Sequence, residues 1–221
     1  MIEYHITLKE GRVFQFQVDL ARKIQPRAAS SHSGWTQLEF NKCSNCPLNR
    51  EQHSHCPAAV DVEQIVATFR DVISYEEVTV EVRTPMRTYS QATDMQTTLR
   101  SLLGLVMATS GCPILSRLKG LAQLHLPFAS LQETLFRTTG AYLLRQYFAL
   151  KEGAAPDLEL KGLGQLYGDL QTVNRCFKKR VDAASEQDAN MNAIGSLVFV
   201  AMGVSYSLED QLAEIRQFAI E

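Results

Sequence analysis

An excess of charge of one sign is missing from this chain. Its 22 basic and 24 acidic side chains leave a formal charge of −2. Residues 1–92 hold 10 basic and 11 acidic groups, and residues 93–221 hold 12 and 13. Neither half offers the basic stripe that a phosphate backbone selects, nor an acidic tail, so nucleic acid is not an expected partner. The only basic run, Lys178-Lys179-Arg180, lies in a helical pattern and reads as a solvated face. Long apolar runs are missing too. The most apolar stretch, "AIGSLVFVAMGVSY" from Ala193 to Tyr206, contains glycines and serines and falls short of the ~20 residues a membrane span requires. Nothing precedes the first strand pattern, so neither a signal peptide nor a membrane is expected, and the chain reads as cytoplasmic.

Familiar chemical motifs are absent as well. There is no glycine-rich phosphate loop, no G-x-S-x-G, no H-E-x-x-H and no dinucleotide fingerprint. The glycines of "GLGQLYG" at Gly162–Gly168 sit inside a helical pattern, where close packing explains them better than phosphate binding. No nucleophile, base and orienting group can be named together. What is present is ordinary globular composition, 45% hydrophobic and 21% charged over 221 residues. A chain of this size buries roughly 70% of its unfolded surface without needing a staple.

The hydrophobic period divides the chain. "IEYHITL" (Ile2–Leu8) and "VFQFQVDL" (Val13–Leu20) alternate apolar and polar residues around a glycine-containing loop, which predicts a hairpin. Gln25–Gly34 is a loop by composition. "WTQLEF" (Trp35–Phe40) alternates again and predicts a strand. Apolar residues at 62, 65, 66, 69 and 72 predict a helix opened by Asp61 and Gln64. "VTVEVR" (Val78–Arg83) is a further strand, to which Met86–Gln91 pairs back.

From Thr93 the period becomes 3.6. Thr93 with Gln96 caps a helix to about Thr109, and Cys112-Pro113 opens a short one. Ser130 with Glu133 caps a long helix ending at Gly153. Leu163, Leu166, Leu170, Val173 and Phe177 mark one face of the next. Ser185 with Asp188, and Ser207 with Asp210, cap the last two. The helix over Ala189–Ser205 is apolar nearly all round, so it is expected to be central, with Phe199 in the core. The expected class is α+β. Residues 1–92 form an antiparallel sheet with one helix and a cysteine-rich loop; residues 93–221 form a bundle of five or six helices packed on it as one unit.

That loop, "KCSNCPLNREQHSHCP", holds three of the chain's five cysteines and two of its five histidines. Cys43 and Cys46 form a C-x2-C knuckle, a spacing that lets two thiolates take one ion from a tight turn. Cys56 follows, with His53 and His55 before it. The segment is too polar to be core, so three thiols there point to a metal. In a reducing compartment such cysteines are ligands or free thiols rather than disulfides. The fourth ligand is open. Proline favours the first position of a helix, which would make Cys112 of "SGCP" a cap residue. There the positive end of the helix favours thiolate. Cys43, Cys46, Cys56 and Cys112 are therefore the preferred set, with His53 or His55 as the alternative fourth ligand and His32 also local. Cysteine often serves only as a small buried hydrophobe. That reading is equal to the ligand role at Cys112 and preferred at Cys176. His5 is expected at a strand surface and His125 in a structural role.

Thiolate tetrahedra suit zinc, and a closed four-ligand site is structural. An iron–sulfur cluster is the alternative. Glu133 and Arg137, one turn apart, are expected to form a buried or semi-buried ion pair. Asp188 and Asn192 lie on a polar stripe that would join them in a pocket, although exposed first turns are the better explanation of that stripe.

The stretches "EFNKCSNCPL", "HCPAAV", "TSGCP", "HLPFASLQETLFR", "QTVNR" and "DANMNA" together resemble a bacterial protein family of unknown function. The resemblance runs from about Trp35 to Met202. It implies a cytoplasmic bacterial protein of one fold and no particular reaction. Three functional readings follow. One is a non-enzymatic zinc-stabilised adaptor or regulator acting on a protein partner, or on a second copy of itself, through the helical half. Another is an iron–sulfur protein for electron transfer or redox sensing. The last is an enzyme with a polar pocket on Glu133, Arg137, Asp188 and Asn192.

Overall fold

A computed structural model describes residues 1–22, 32–206 and 208–217. Strands β1 (Ile2–Leu8) and β2 (Val13–Val18) form the expected hairpin, whose turn uses Gly11 at φ +88°, a region where only glycine is unstrained. β3 (Glu77–Arg83) pairs with the other edge of β1, and β4 (Thr88–Asp94) pairs with β3. The sheet order is β2-β1-β3-β4, antiparallel throughout. Alternation sets its buried face: Ile2, Tyr4, Ile6, Leu8, Val78, Val80 and Val82 are all buried. The rings of Phe14 and Phe16 on β2 meet Phe69 at the end of helix α1 (Pro57–Thr68).

Beyond Asp94 the described residues contain helices and no strand: α2 (Met95–Ala108), α3 (Lys119–Gln123), α4 (Leu131–Lys151), α5 (Lys161–Asp182), α6 (Ala189–Tyr206) and α7 (Leu208–Ile215). The class is α+β, with one hydrophobic core running continuously from Ile2 to Val204. α4 opens on the expected capping box of Ser130 and Glu133 and stops before Gly153 at φ +87°. The five stripe positions of α5 from Leu163 to Phe177 are buried.

Several local expectations gave way to tertiary context. Trp35–Phe40 is not a strand: a 3-10 turn covers Gly34–Thr36, and only Gln37 pairs, in an isolated bridge with His55. The carbonyls a ladder would use are taken by Arg180, which bonds those of Trp35, Gln37 and Leu38. Arg180 is thus no solvated end of a basic run; it is 1% exposed. α1 begins at Pro57 rather than after Asp61, because proline suits the first helical position, and Asp61 pairs with Arg22 at 2.8 Å. α2 is capped by Asp94, whose carboxylate accepts from the Thr97 N–H at 2.7 Å, so Thr93 stays in β4. α6 shows one face to solvent, and Phe199 is 67% exposed rather than core. Most of the expected Gln25–Gly34 loop, and the Ser207 cap, lie outside the described residues.

Candidate metal centre

The segment between Cys43 and Cys46 is a tight turn. The Cys46 N–H donates to the Cys43 carbonyl at 3.0 Å, closing the turn. Asn45, between them, donates from Nδ2 to the Asp169 carbonyl on α5 at 3.1 Å. This holds the loop against that helix. The Cys43 Sγ lies 4.0 Å from the Val173 carbonyl. Cys176 follows Val173 by three positions on α5, so it occupies the adjoining turn of the same helix.

Cys56 is the N-cap of α1, with Pro57 in the first turn. Its own N–H donates to the Thr36 carbonyl at 2.8 Å. Cys112 opens a turn in which its carbonyl accepts from the Ser116 N–H at 2.9 Å; a 3-10 segment over Leu115–Leu118 and then α3 follow. The cap roles therefore fall the other way round from the sequence reading. Cys56 is the formal cap, and Cys112 sits two residues before one.

Electrostatics tie the thiols together. Burial pushes the Cys43 thiol up to about 12, and the thiols of Cys176, Cys56, Cys112 and Cys46 push the same way. Burial also raises Cys56, opposed by the N–H of Ala59, the charge of Arg180 and the N–H of Ala58. These N–H groups point toward the sulfur without a formed cap hydrogen bond. Burial raises Cys112, opposed by the N–H groups of Leu115 and Ile114 and reinforced by Cys56 and Cys46. Such influences fade over about 10 Å at ordinary ionic strength. The other four thiols are thus all felt at Cys43, and all five are free. As they stand, no three cysteine, histidine or carboxylate side chains among the described residues are close enough to hold an ion.

The sequence reading missed two members of this neighbourhood. Cys176 looked like a small hydrophobe inside a helix, and only the odd cysteine count hinted at more. Arg180 was missed because its basic neighbours disguised it. Its Nη1 donates to the carbonyls of Trp35 at 3.0 Å and Gln37 at 2.7 Å, and its Nη2 to that of Leu38 at 2.7 Å. Its Nε finds no acceptor, and among the described residues no carboxylate pairs with it. A guanidinium does not lose its proton, and an uncompensated buried charge is costly. The charge of Arg180 reaches the Cys56 thiol.

The rings of His55 and His32 have partners of their own. His55 Nδ1 is 2.9 Å from the Ser54 hydroxyl, and its ring meets His32 edge-on at 5.4 Å. His32 Nδ1 is 2.7 Å from the Glu63 carboxylate. His53 donates its backbone N–H to the Asn49 carbonyl.

The four residues expected to share a polar pocket fall into two pairs: Glu133 and Arg137 line one recess, which neither Asp188 nor Asn192 lines. Glu133 is exposed and closes the capping box through the Ser130 N–H at 2.8 Å. Arg137 instead donates to the carbonyls of Leu121 and Leu124. Asp188 accepts from the N–H and hydroxyl of Ser74 at 2.7 and 2.9 Å and from Asn192 at 2.9 Å. Asp188 and Asn192 line none of the recesses that Arg137 lines. The backbone capping demand on α4, and the turn before β3, claim these side chains separately.

Among the described residues no single helix is long and apolar enough to cross a membrane. No curated protein and no solved structure matches the chain. A family model does match, over residues 2–219.

Proposed function

The chain belongs to the family described as Domain of unknown function (DUF6901), and we propose that it is a non-enzymatic protein holding one zinc ion on cysteine thiolates and acting as an adaptor or regulator through its helical half. The observation that carries this reading is the Cys43–Cys46 turn docked on α5, with the Cys43 sulfur 4.0 Å from the Val173 carbonyl and the Cys56 thiol within the field of the buried Arg180. Cys43, Cys46, Cys56 and Cys112 are the proposed ligands. Their donor set is soft and suits a closed, structural tetrahedron. Zinc on four thiolates would carry a net charge of about −2, and Arg180 would offset part of it. The ion supplies the cation that lets buried thiols ionise; the sulfurs approach it by moving between staggered side-chain wells. Such a centre ties the knuckle loop, the start of α1 and the turn after α2 into one unit. A bacterial cytoplasm, where thiols stay reduced, is the proposed compartment.

The adaptor role is supported by α4. Phe136, Leu143, Tyr147 and Leu150 recur along that helix at exposures of 48, 39, 51 and 53%. Apolar faces of this kind mark interaction surfaces, and a protein partner is the proposed occupant.

The test is metal analysis of protein purified without oxygen. About one zinc per chain in a colourless protein is the expected result. A brown protein carrying iron and sulfide would replace zinc with the iron–sulfur reading. Metal-free protein with five titratable thiols would remove the centre altogether.

A further inference from the structure

A recess of about 190 Å³ opens between α2, α3, α4, α5 and α6, with no cysteine in its lining. Its walls are mainly apolar, with Leu105, Leu118, Leu170 and Leu197 among them. Two guanidinium groups, those of Arg100 and Arg137, also line it, and no aspartate or glutamate does. Among the described residues their hydrogen bonds go to backbone carbonyls: Arg100 to Ala129 at 3.5 Å, Arg137 to Leu121 and Leu124. Burial pulls both cations down from the ordinary arginine range; Asp94 partly restores Arg100, while Tyr167, Tyr89 and Glu133 partly restore Arg137. Asp94 and Glu133 are themselves engaged in capping α2 and α4. Two cations line an apolar hollow whose lining holds no carboxylate, a setting that favours an anionic guest.

Two polar features sharpen the picture. Asn174, 6% exposed, lines the recess and donates from Nδ2 to the Leu197 carbonyl at 3.2 Å, leaving its buried Oδ1 without a donor. On another wall Ser101 and His125 are joined through the Tyr4 hydroxyl, at 2.7 and 2.6 Å. The loop behind them carries Phe128 at φ +62°, a conformation that bulky residues seldom hold without cause.

We propose that this recess binds a small hydroxylated carboxylic acid built on a single ring, its carboxylate on Arg100 and Arg137 and its hydroxyl donating to Asn174 Oδ1. The size fits, since a cavity of ~150 Å³ lined by apolar side chains accepts benzene. The anion supplies what the two cations lack, and the ring replaces water against leucine. This inference is independent of the thiol centre and stands or falls without it.

The test is calorimetric titration and thermal unfolding of the full chain with 4-hydroxybenzoate, benzoate and 4-hydroxybenzamide. The acid with the hydroxyl should bind most tightly. At a hundredfold excess over its Kd it should raise the unfolding midpoint by roughly 5–10 °C. Benzoate should bind more weakly, and the neutral amide should not bind. Arg137→Met should weaken the acid about tenfold to a hundredfold. That variant also loses the bonds to Leu121 and Leu124, so Ala201→Leu, which fills the recess from a wall residue, serves as a second probe and should abolish binding in a folded protein. Equal binding of acid and amide, undiminished binding to folded Ala201→Leu, or no binding of any probe at millimolar concentration would each overturn the proposal.

Discussion

Arg180 on α5 donates to the carbonyl of Gln37 at 2.7 Å, a contact made across 143 residues of sequence. With its bonds to Trp35 and Leu38, it fixes the segment that leads into the cysteine knuckle. Arg180→Ala should therefore destabilise the protein by about 3–5 kcal/mol, because three carbonyls lose a charged donor together. Arg180→Lys should recover little of this, since an ammonium cannot reproduce the planar fork. Urea unfolding of the three proteins checks this; a loss under about 1 kcal/mol in Arg180→Ala would mean water replaces the guanidinium without penalty.

The proposed ligand set makes a distinction between cysteines. Serine at Cys43, Cys46, Cys56 or Cys112 should each lower zinc content of the purified protein well below that of the parent, and Cys176→Ser should leave it unchanged. Metal stoichiometry of the five variants decides. A metal-poor Cys176→Ser beside a metal-replete Cys112→Ser would exchange the two in the ligand set.

His125 makes stability depend on pH. Burial and the nearby Arg137 charge hold its imidazole down to about 4 in the fold, against about 6.5 when unfolded. The groups facing it are Tyr4, which it bonds, Ser101 beyond that hydroxyl, and Arg137. Above pH 6.5 the imidazole is neutral in both states and this stability is intact. As pH falls from 6.5 toward 4 only the unfolded chain gains the proton, so stability falls, by about 3 kcal/mol at most. His125→Gln should remove this part of the slope between pH 7 and 4.5 in urea titrations, and an identical slope in both proteins would refute the assignment.

Phe199 should tolerate truncation. At 67% exposure it has little buried surface to lose, and Phe199→Ala should cost less than about 1 kcal/mol, whereas Leu102→Ala in the core should cost about 2–5 kcal/mol. Thermal unfolding of the pair reads the contrast; a large loss at Phe199 would show that a partner or second copy covers that face of α6.

Where neighbours along the chain supply the physics, the sequence alone determined the outcome. The β1–β2 hairpin follows from alternation plus Gly11. The Ser130–Glu133 box needs only residues three apart, and the buried stripe of α5 needs only a period. The Cys43–Cys46 turn is equally local. Contacts between distant segments decided the rest. Trp35–Phe40 has a strand's pattern, yet its carbonyls went to an arginine that lies on α5. Lys178, Lys179 and Arg180 look alike in sequence, but only Arg180 turns inward, because the next element to pack there offers three acceptors. Cys176 joins the thiols because the knuckle docks on α5 through Asn45. Phe199 is left outside because α6 has partners on one side only, and an apolar composition says how much a helix would gain from burial without saying which face a neighbour will reach.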